Sequence, residues 1–549
     1  MPPPLKANTL HGHSHDTNST TSVSTFDPEK QQQQQQDLPS VDRSRHLPKG
    51  PIRKGLLLFG MFLGGFLASL DISIVAAALP HMASDFNAQT EMSWIATAYL
   101  LAYTAFQPIY GRFSDIFGRK QMFLVANMLF LVGSIGCGAA PSMIALILFR
   151  AVQGFGGSGL FSILVIMVAD MFENIEERAR YQSLIWLSFA VSAVTGPLLG
   201  GLFVEHATWR WCFYSSVPFG VVCMSLVGWL FNVPFERTNL RAKMRRVDYL
   251  GVFFVVVSVL CLLLPLGWGG TTYAWNSPPI IVLFVLFVVF AGVLIFIEAR
   301  TPPQDAIIPP ILFLIRNVSI PLLVNGVMGI CFMGITFYLP LYLQTVQGAS
   351  TTNAGLRMMP SAFAIVFSTI ASSFLLKKFK DYRIFIWVGT ATMTLSIGLF
   401  MIMDANTGLG VQLVFVLVMG LGQGLIFQNC LLACQECAGE SHMAVATALC
   451  GFINSIGSSV GVAICAALFN NALKNNLTKL SPDIQTLLQQ LDVVNNIDAI
   501  GVLPADIKGQ VIDAYAHSFQ FLFMILTPIM GLSFLLSLFM RRRKIPTTE

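Results

Sequence analysis

Residues 55–79 read GLLLFGMFLGGFLASLDISIVAAAL, an apolar run interrupted by a single charge, Asp71. A helix needs about 20 such residues to cross the hydrocarbon core of a bilayer, and this run supplies them. A carboxylate near the centre of a spanning helix costs on the order of 3 kcal/mol on insertion scales, so such residues are rare and tend to be functional. The other acids near apolar runs, Asp170, Glu205, Asp248, Glu298 and Asp404, fall at run ends, where water is expected to reach them. Asp71 is therefore the leading candidate for a proton carrier. A structural carboxylate fixed by one partner is the plainer reading.

The rest of the chain repeats the pattern. Of its 549 residues 54% are hydrophobic and 11% charged, against about 25% charged in soluble proteins, and the mean hydropathy is +0.67. Fourteen apolar runs of spanning length lie between residues 55 and 540. They predict an all-α polytopic membrane protein with 14 transmembrane helices arranged 6+2+6. An even number of crossings puts both termini on one side. Most of the 33 Lys and Arg then share that side, concentrated at Arg112–Lys120, Arg237–Arg246, Lys377–Arg383 and Arg541–Lys544. The positive-inside rule makes it the cytosolic side. The net charge of +5 is read in these terms and implies no nucleic-acid partner.

The expected organisation follows. Residues 1–54, polar and carrying the Gln31–Gln36 tract, form a disordered cytosolic tail. Residues 55–232 form a six-helix bundle, 233–317 are linkers with two extra helices, and 318–540 form a second six-helix bundle with a long non-cytosolic loop at 471–516. Residues 541–549 are a basic cytosolic tail. The extra helices hold almost no internal polar residues and are expected to face lipid. The string Gly111–Lys120 has a degraded counterpart at Lys377–Arg383, and Gly196–Gly201 has one at Gly457–Gly461. Two parallel halves of a transporter leave such faint symmetry.

The ten cysteines lie in or at the ends of apolar runs and imply no secreted disulfide framework. Cys430, Cys434 and Cys437 lack a matching ligand set, and His11, His13 and His15 sit in the polar tail, so no metal site is expected. Asn476-Leu477-Thr478 is a glycosylation sequon on the expected outer side, whereas Asn18 matches the pattern in the cytosolic tail. His81, His206 and His517 near the outer face are candidates for sensing an acidic lumen.

Arg150 is a charge inside the fourth run. Asp71 and Arg150 each lie eight residues from the outer end of their run, which places both about 12 Å deep at 1.5 Å per residue. Opposite charges at matched depth are expected to pair. An Arg beside a carboxylate favours its charged form, so a proton or a cationic substrate would compete with Arg150 for Asp71. A static pair fixing two helices is the alternative. Between the second and third runs stands Gly111-Arg112-Phe113-Ser114-Asp115-Ile116-Phe117-Gly118-Arg119-Lys120. Its glycines allow close backbone approach, Arg112 and Arg119 are expected to pair locally, and Asp115 would face the positive end of a helix from the other half. Gly111, Arg112, Asp115, Gly118, Arg119 and Lys120 are thus candidates for a cytosolic gate. Gly196 and Pro197 disturb regular helix bonding, while Gly200 and Gly201 would admit a neighbouring helix.

That ten-residue string resembles the signature loop of the major facilitator superfamily. Leu70-Asp71-Ile72-Ser73-Ile74-Val75 with Leu79-Pro80 resembles the first-helix motif of its fourteen-helix drug:proton antiporter branch. Arg150-Ala151-Val152-Gln153-Gly154 is similar to the fourth-helix motif linked with proton coupling. Gly196-Pro197-Leu198-Leu199-Gly200-Gly201 is similar to the fifth-helix antiporter motif. Ser84–Asn87, Ser93–Leu100 and Thr104–Pro108 resemble fungal vacuolar basic amino acid transporters. The resemblance implies the major facilitator fold, with helices 1, 4, 9 and 12 around a cavity. It then makes Tyr99, Gln107, Asn325, Gln423, Gln428, Asn429 and Asn454 candidate substrate contacts, with Phe332 and Tyr338 available for cation–π contact. Each is also readable as an interhelical packing residue.

These readings imply a monomeric proton-coupled antiporter in the bilayer, not an enzyme and without a cofactor, moving small organic solutes out of the cytosol. Basic amino acids entering a vacuole lead; a multidrug or toxin efflux pump of the plasma membrane is the alternative. A transporter-like nutrient sensor is the alternative of another class, disfavoured by the short low-complexity tail. No His or Ser joins a buried acid as a catalytic set, no filter repeat marks a channel, and no P-loop marks a primary pump.

Overall fold

The computed structural model describes residues 50–88, 91–172, 174–231, 240–270, 272–404, 407–482, 484–485 and 503–542. The polyglutamine tract, the tail histidines, Asn18 and most of the polar N-terminal and basic C-terminal tails lie outside the described residues. Within them the chain is helical. The first half comprises α1 (Pro51–Asp85), α2 (Met92–Phe117), α3 (Arg119–Ala139), α4 (Met143–Met171), α5 (Ile175–His206) and α6 (Ser216–Leu230). Two helices follow, α7 (Tyr249–Trp268) and α8 (Pro278–Arg300). Then come α9 (Arg316–Thr345), α10 (Thr351–Phe379), α11 (Tyr382–Phe400), α12 (Leu409–Cys437), α13 (Met443–Leu477) and α14 (Ala505–Leu538).

Thirteen helical segments among the described residues are long and apolar enough to cross a membrane. The exception, α2, is 26 residues long but carries Gln107, Arg112 and Asp115. A helix satisfies its own backbone polar groups, which is what a spanning segment in lipid requires. The chain is a multi-pass integral membrane protein.

Helix ends correct several expectations. Pro51, whose missing N–H costs nothing in a first turn, opens α1, so residues 51–54 belong to a helix rather than to a disordered tail. The 111–120 string is not a loop: α2 runs to Phe117 and α3 starts at Arg119, leaving Gly118 as the whole turn. Its φ of +101° is a conformation that glycine adopts without a side-chain clash. In the second half Lys380 takes the equivalent corner with φ +50°. The expected loop at 471–516 is partly helical, because α13 extends to Leu477 and α14 begins at Ala505.

Small residues bring helices close. On α4, side chains at Gly154 and Gly156 would strike the backbones of Tyr99 in α2 and Phe130 in α3. Such close approach is how helices associate where no hydrophobic effect drives them. Within the first half α4 packs on α2 and α3, and α1 on α5; in the second α13 packs on α9, and α12 on α10 and α11. The halves meet along α2–α13 and α5–α10. Each seam joins the second helix of one half to the fifth of the other, as a twofold pseudo-symmetric pair requires.

The extra helices do not simply face lipid. Of the apolar window of α8 only 6% is buried. By contrast α7 packs on α2 and α13, touching both halves. Ile109 of α2, Val255 of α7 and Ile307 form a buried cluster, and Trp94 of α2 meets Trp268 of α7 edge to face at 5.7 Å. Glu298, expected at the water boundary, is 2% exposed, because the segment after α8 folds back over it.

Candidate functional site

Asp71 is held from both oxygens. Arg150 Nη1 donates to its Oδ2 at 2.6 Å and Gln153 Nε2 to its Oδ1 at 2.7 Å. Arg150 also donates from Nε to the Ile95 carbonyl at 3.0 Å and from Nη1 to Gln153 Oε1 at 2.8 Å. Gln153 Nε2 reaches Ser134 Oγ at 2.8 Å. The guanidinium carbon lies 4.4 Å over the Tyr99 ring and 5.9 Å from that of Phe213. Asp71 and Arg150 are each 2% exposed. A buried ion pair tolerates such desolvation when its polar atoms are also bonded, and here both Asp71 oxygens and Arg150 Nε and Nη1 have partners.

The glycine-rich stretch at 196–201 and its helix back this cage. Gly196 lies against Ser73 of α1, with no room for a side chain, and Ser69 donates to Ser192 of α5 at 2.7 Å. Pro197 lies within the unbroken α5, and Gly200 is buried. Gly201 has nothing within 4 Å of where a Cβ would stand, so the expected close helix approach does not occur there.

At the other end of the bundle, Arg119 bridges Asp115 at 2.5 Å and Asp170 at 2.7 Å. Arg112 lies 3.7 Å from Asp115 and 3.4 Å from Asp305. Its pairing is thus not only local, as the sequence suggested. Lys120, half-exposed, takes no part in these ion pairs. Gly111 abuts Ala444, Val445 and Ala448 at the start of α13, so the α2 end touches the opposite half.

Between the halves lies a cavity of about 180 Å³. Of the nine cavity candidates, Gln107, Phe332, Gln423, Gln428 and Asn454 line it. Four do not. Tyr99 stands under Arg150, Asn325 is fully buried and donates to the Cys450 carbonyl, Tyr338 packs on Phe469, and Asn429 turns back to the Leu425 carbonyl. Tyr103, Phe161, Trp186, Phe189 and Phe427 complete an aromatic wall that sequence reasoning missed, although Trp186 and Phe189 share a helix face by their spacing. Among the described residues no acidic or basic side chain lines the cavity, and none of its lining comes from α1. Asp71 therefore lies behind the wall. Tyr99 connects them: its ring stacks on Tyr103, a lining residue, at 5.9 Å.

Below the cavity a ladder of amides crosses from half to half. Trp186 Nε1 donates to Gln428 Oε1 at 2.8 Å, Gln428 Nε2 to Gln182 Oε1 at 3.2 Å, and Gln182 Nε2 to Gln435 Oε1 at 3.0 Å. Asn476 sits in the last turn of α13 and donates to Ser518 Oγ at 3.0 Å. All ten cysteines are buried and none forms a disulfide, and no group of three or more metal-ligating side chains occurs among the described residues.

A family model described as Major Facilitator Superfamily matches residues 61–462. The MFS-type efflux pump MFS1 of Trichophyton rubrum is 30% identical over 437 residues, covering 79% of this chain and 81% of that protein. The efflux pump hmp6 of Hypomyces subiculosus is 30% identical over 441 residues, covering 79% and 77%. Among solved structures, the human organic anion transporter MFSD10 superposes with a TM-score of 0.60 over 89% of this chain and 100% of its own. At 12% identity it supports the fold alone.

Proposed function

Since the chain belongs to the Major Facilitator Superfamily, we propose that it is a proton-coupled antiporter of the efflux type, exporting uncharged amphipathic organic molecules from the cytosol. The observation that carries this reading is the cavity wall of aromatic rings and amides, with no carboxylate among the described residues that line it. Basic amino acids would have to shed water from a full positive charge there, at a cost of several kcal/mol, with no fixed counter-charge. A neutral aromatic molecule instead stacks on Trp186, Phe189 or Phe427 and bonds to Gln107, Gln423 or Asn454. The relatives named as efflux pumps support the same choice.

In this reading proton and cargo occupy different sites. Protonation of Asp71 removes the charge that anchors Arg150, and the freed guanidinium shifts against Tyr99, which moves Tyr103 at the cavity wall. The Arg112–Asp115–Arg119 cluster secures the cytosolic end while the amide ladder is closed. Antiport follows if the cavity changes sides only with cargo bound and Asp71 ionised, or empty with Asp71 protonated, so that the proton taken up outside is released to the cytosol before cargo binds.

The test uses full-length protein in proteoliposomes with an imposed pH gradient. A neutral aromatic fluorophore should move against its gradient, and Asp71→Asn should abolish that movement. Lysine, arginine and histidine should neither move nor dissipate the gradient. Gradient-driven lysine transport would reject the efflux reading in favour of the vacuolar one.

A further inference from the structure

Arg119 occupies the nearest acids around the 111–120 string, Asp115 at 2.5 Å and Asp170 at 2.7 Å. Arg112, 3% exposed, keeps only a 3.7 Å approach to Asp115. Its shortest carboxylate contact is Asp305 Oδ1, 3.4 Å from Nη2. Asp305 comes from the segment 301–310, which leads from α8 into the second half. The same oxygen lies 3.3 Å from Nε of Arg246, in the linker before α7.

This segment is folded rather than slack. The amides of Asp305 and Ala306 both donate to the Pro302 carbonyl, at 2.8 and 3.0 Å. Ile307 is 1% exposed against Ile109 and Val255, and the amides of Ile307 and Ile308 face the buried Glu298. Thus on this end α2 touches the second half at Gly111, against the start of α13, and at Arg112 it touches the linker that runs on into α9.

We propose that residues 301–310 are an electrostatic strap, in which Asp305 positions Arg112 and ties the two halves together at this end. The extra helices serve as its anchor. A guanidinium this deeply buried is costly once its nearest carboxylate is gone, so losing Asp305 weakens the closed arrangement relative to the opened one. This goes beyond the efflux reading and depends on no substrate, so it is tested without a transport assay.

Ser373 of α10 donates to the Ala179 carbonyl of α5 at 3.1 Å across the other seam between the halves and is 5% exposed. S373C is therefore a reporter of seam opening. In full-length detergent-solubilised protein, its rate of alkylation by a maleimide is measured over the background of the native cysteines. D305N should raise that rate about tenfold, the scale of a typical coupling between sites. D305E should stay close to the parent, and R246Q should leave the rate unchanged, since Arg246 is 53% exposed. Labelling of D305N at the parent rate, or of D305E as fast as D305N, overturns the strap. If D305N fails to accumulate, D305N/R246Q preserves the net charge of the cluster and takes its place: faster labelling than R246Q alone supports the strap, and an equal rate overturns it.

Discussion

Arg150 Nη1 lies 2.6 Å from Asp71 Oδ2, with both residues 2% exposed and further bonds from the pair to the Ile95 carbonyl and Gln153. A pair buried this way loses more when broken than it gained when formed. Arg150→Ala leaves an unpaired carboxylate and should cost about 3–5 kcal/mol of stability, read as a fall in thermal midpoint in detergent. Arg150→Lys should restore part of the stability but not transport. A single ammonium cannot serve the Ile95 carbonyl, Asp71 and Gln153 in one plane.

Gln153 stands within a motif legible in the sequence, but only the fold places it in this cage. Gln153→Ala removes the donor at 2.7 Å from Asp71 Oδ1 and the link to Ser134. A buried carboxylate oxygen left without its donor costs about 1–3 kcal/mol. The variant should fold with a lowered melting temperature and show uncoupled or strongly reduced transport. Wild-type coupling at wild-type stability would show Gln153 to be a bystander.

The legible part of the site was local or depth-matched. The Asp71–Arg150 contact followed from two lone charges at equal depth, whereas Gln153, three residues from Arg150 on one helix face, was not singled out because an amide carries no depth signal of its own. The fold followed from the apolar runs and the glycine-bearing string. The cavity wall was less legible: in a chain that is 11% aromatic, nothing local separates Phe161 or Phe427 from lipid-facing rings until the halves are brought together. Asp305 was invisible for a related reason, being 193 residues from Arg112 in sequence and in a linker with no motif.

Coupling through the Tyr99–Tyr103 stack makes a prediction about ring against hydroxyl. The Tyr99 hydroxyl is buried and has no hydrogen-bond partner among the described residues, while its ring sits 4.4 Å beneath Arg150. Tyr99→Phe should therefore retain proton-driven transport, and Tyr99→Leu, which removes the cation–π face worth about 0.5–2 kcal/mol, should lose it. Equal loss in both variants would point to a hydroxyl-based proton path instead. Transport rates with and without a pH gradient separate the two.

The absence of a counter-charge in the cavity can be reversed. Gln423→Glu places a carboxylate among the lining residues without changing side-chain length, and Gln423 Oε1 is buried with no hydrogen-bond partner to lose among the described residues. An opposite charge within a desolvated wall favours a cationic ligand, while a neutral aromatic one gains nothing and meets a more polar surface. The variant should therefore gain affinity for a monovalent cationic dye by about tenfold, one charge-assisted contact of about 1.5 kcal/mol. Affinity for the neutral fluorophore should fall or stay level. If the cationic dye already binds the parent as tightly as the variant, some other acid reaches the cargo. The separation of proton site from cargo site then fails with it.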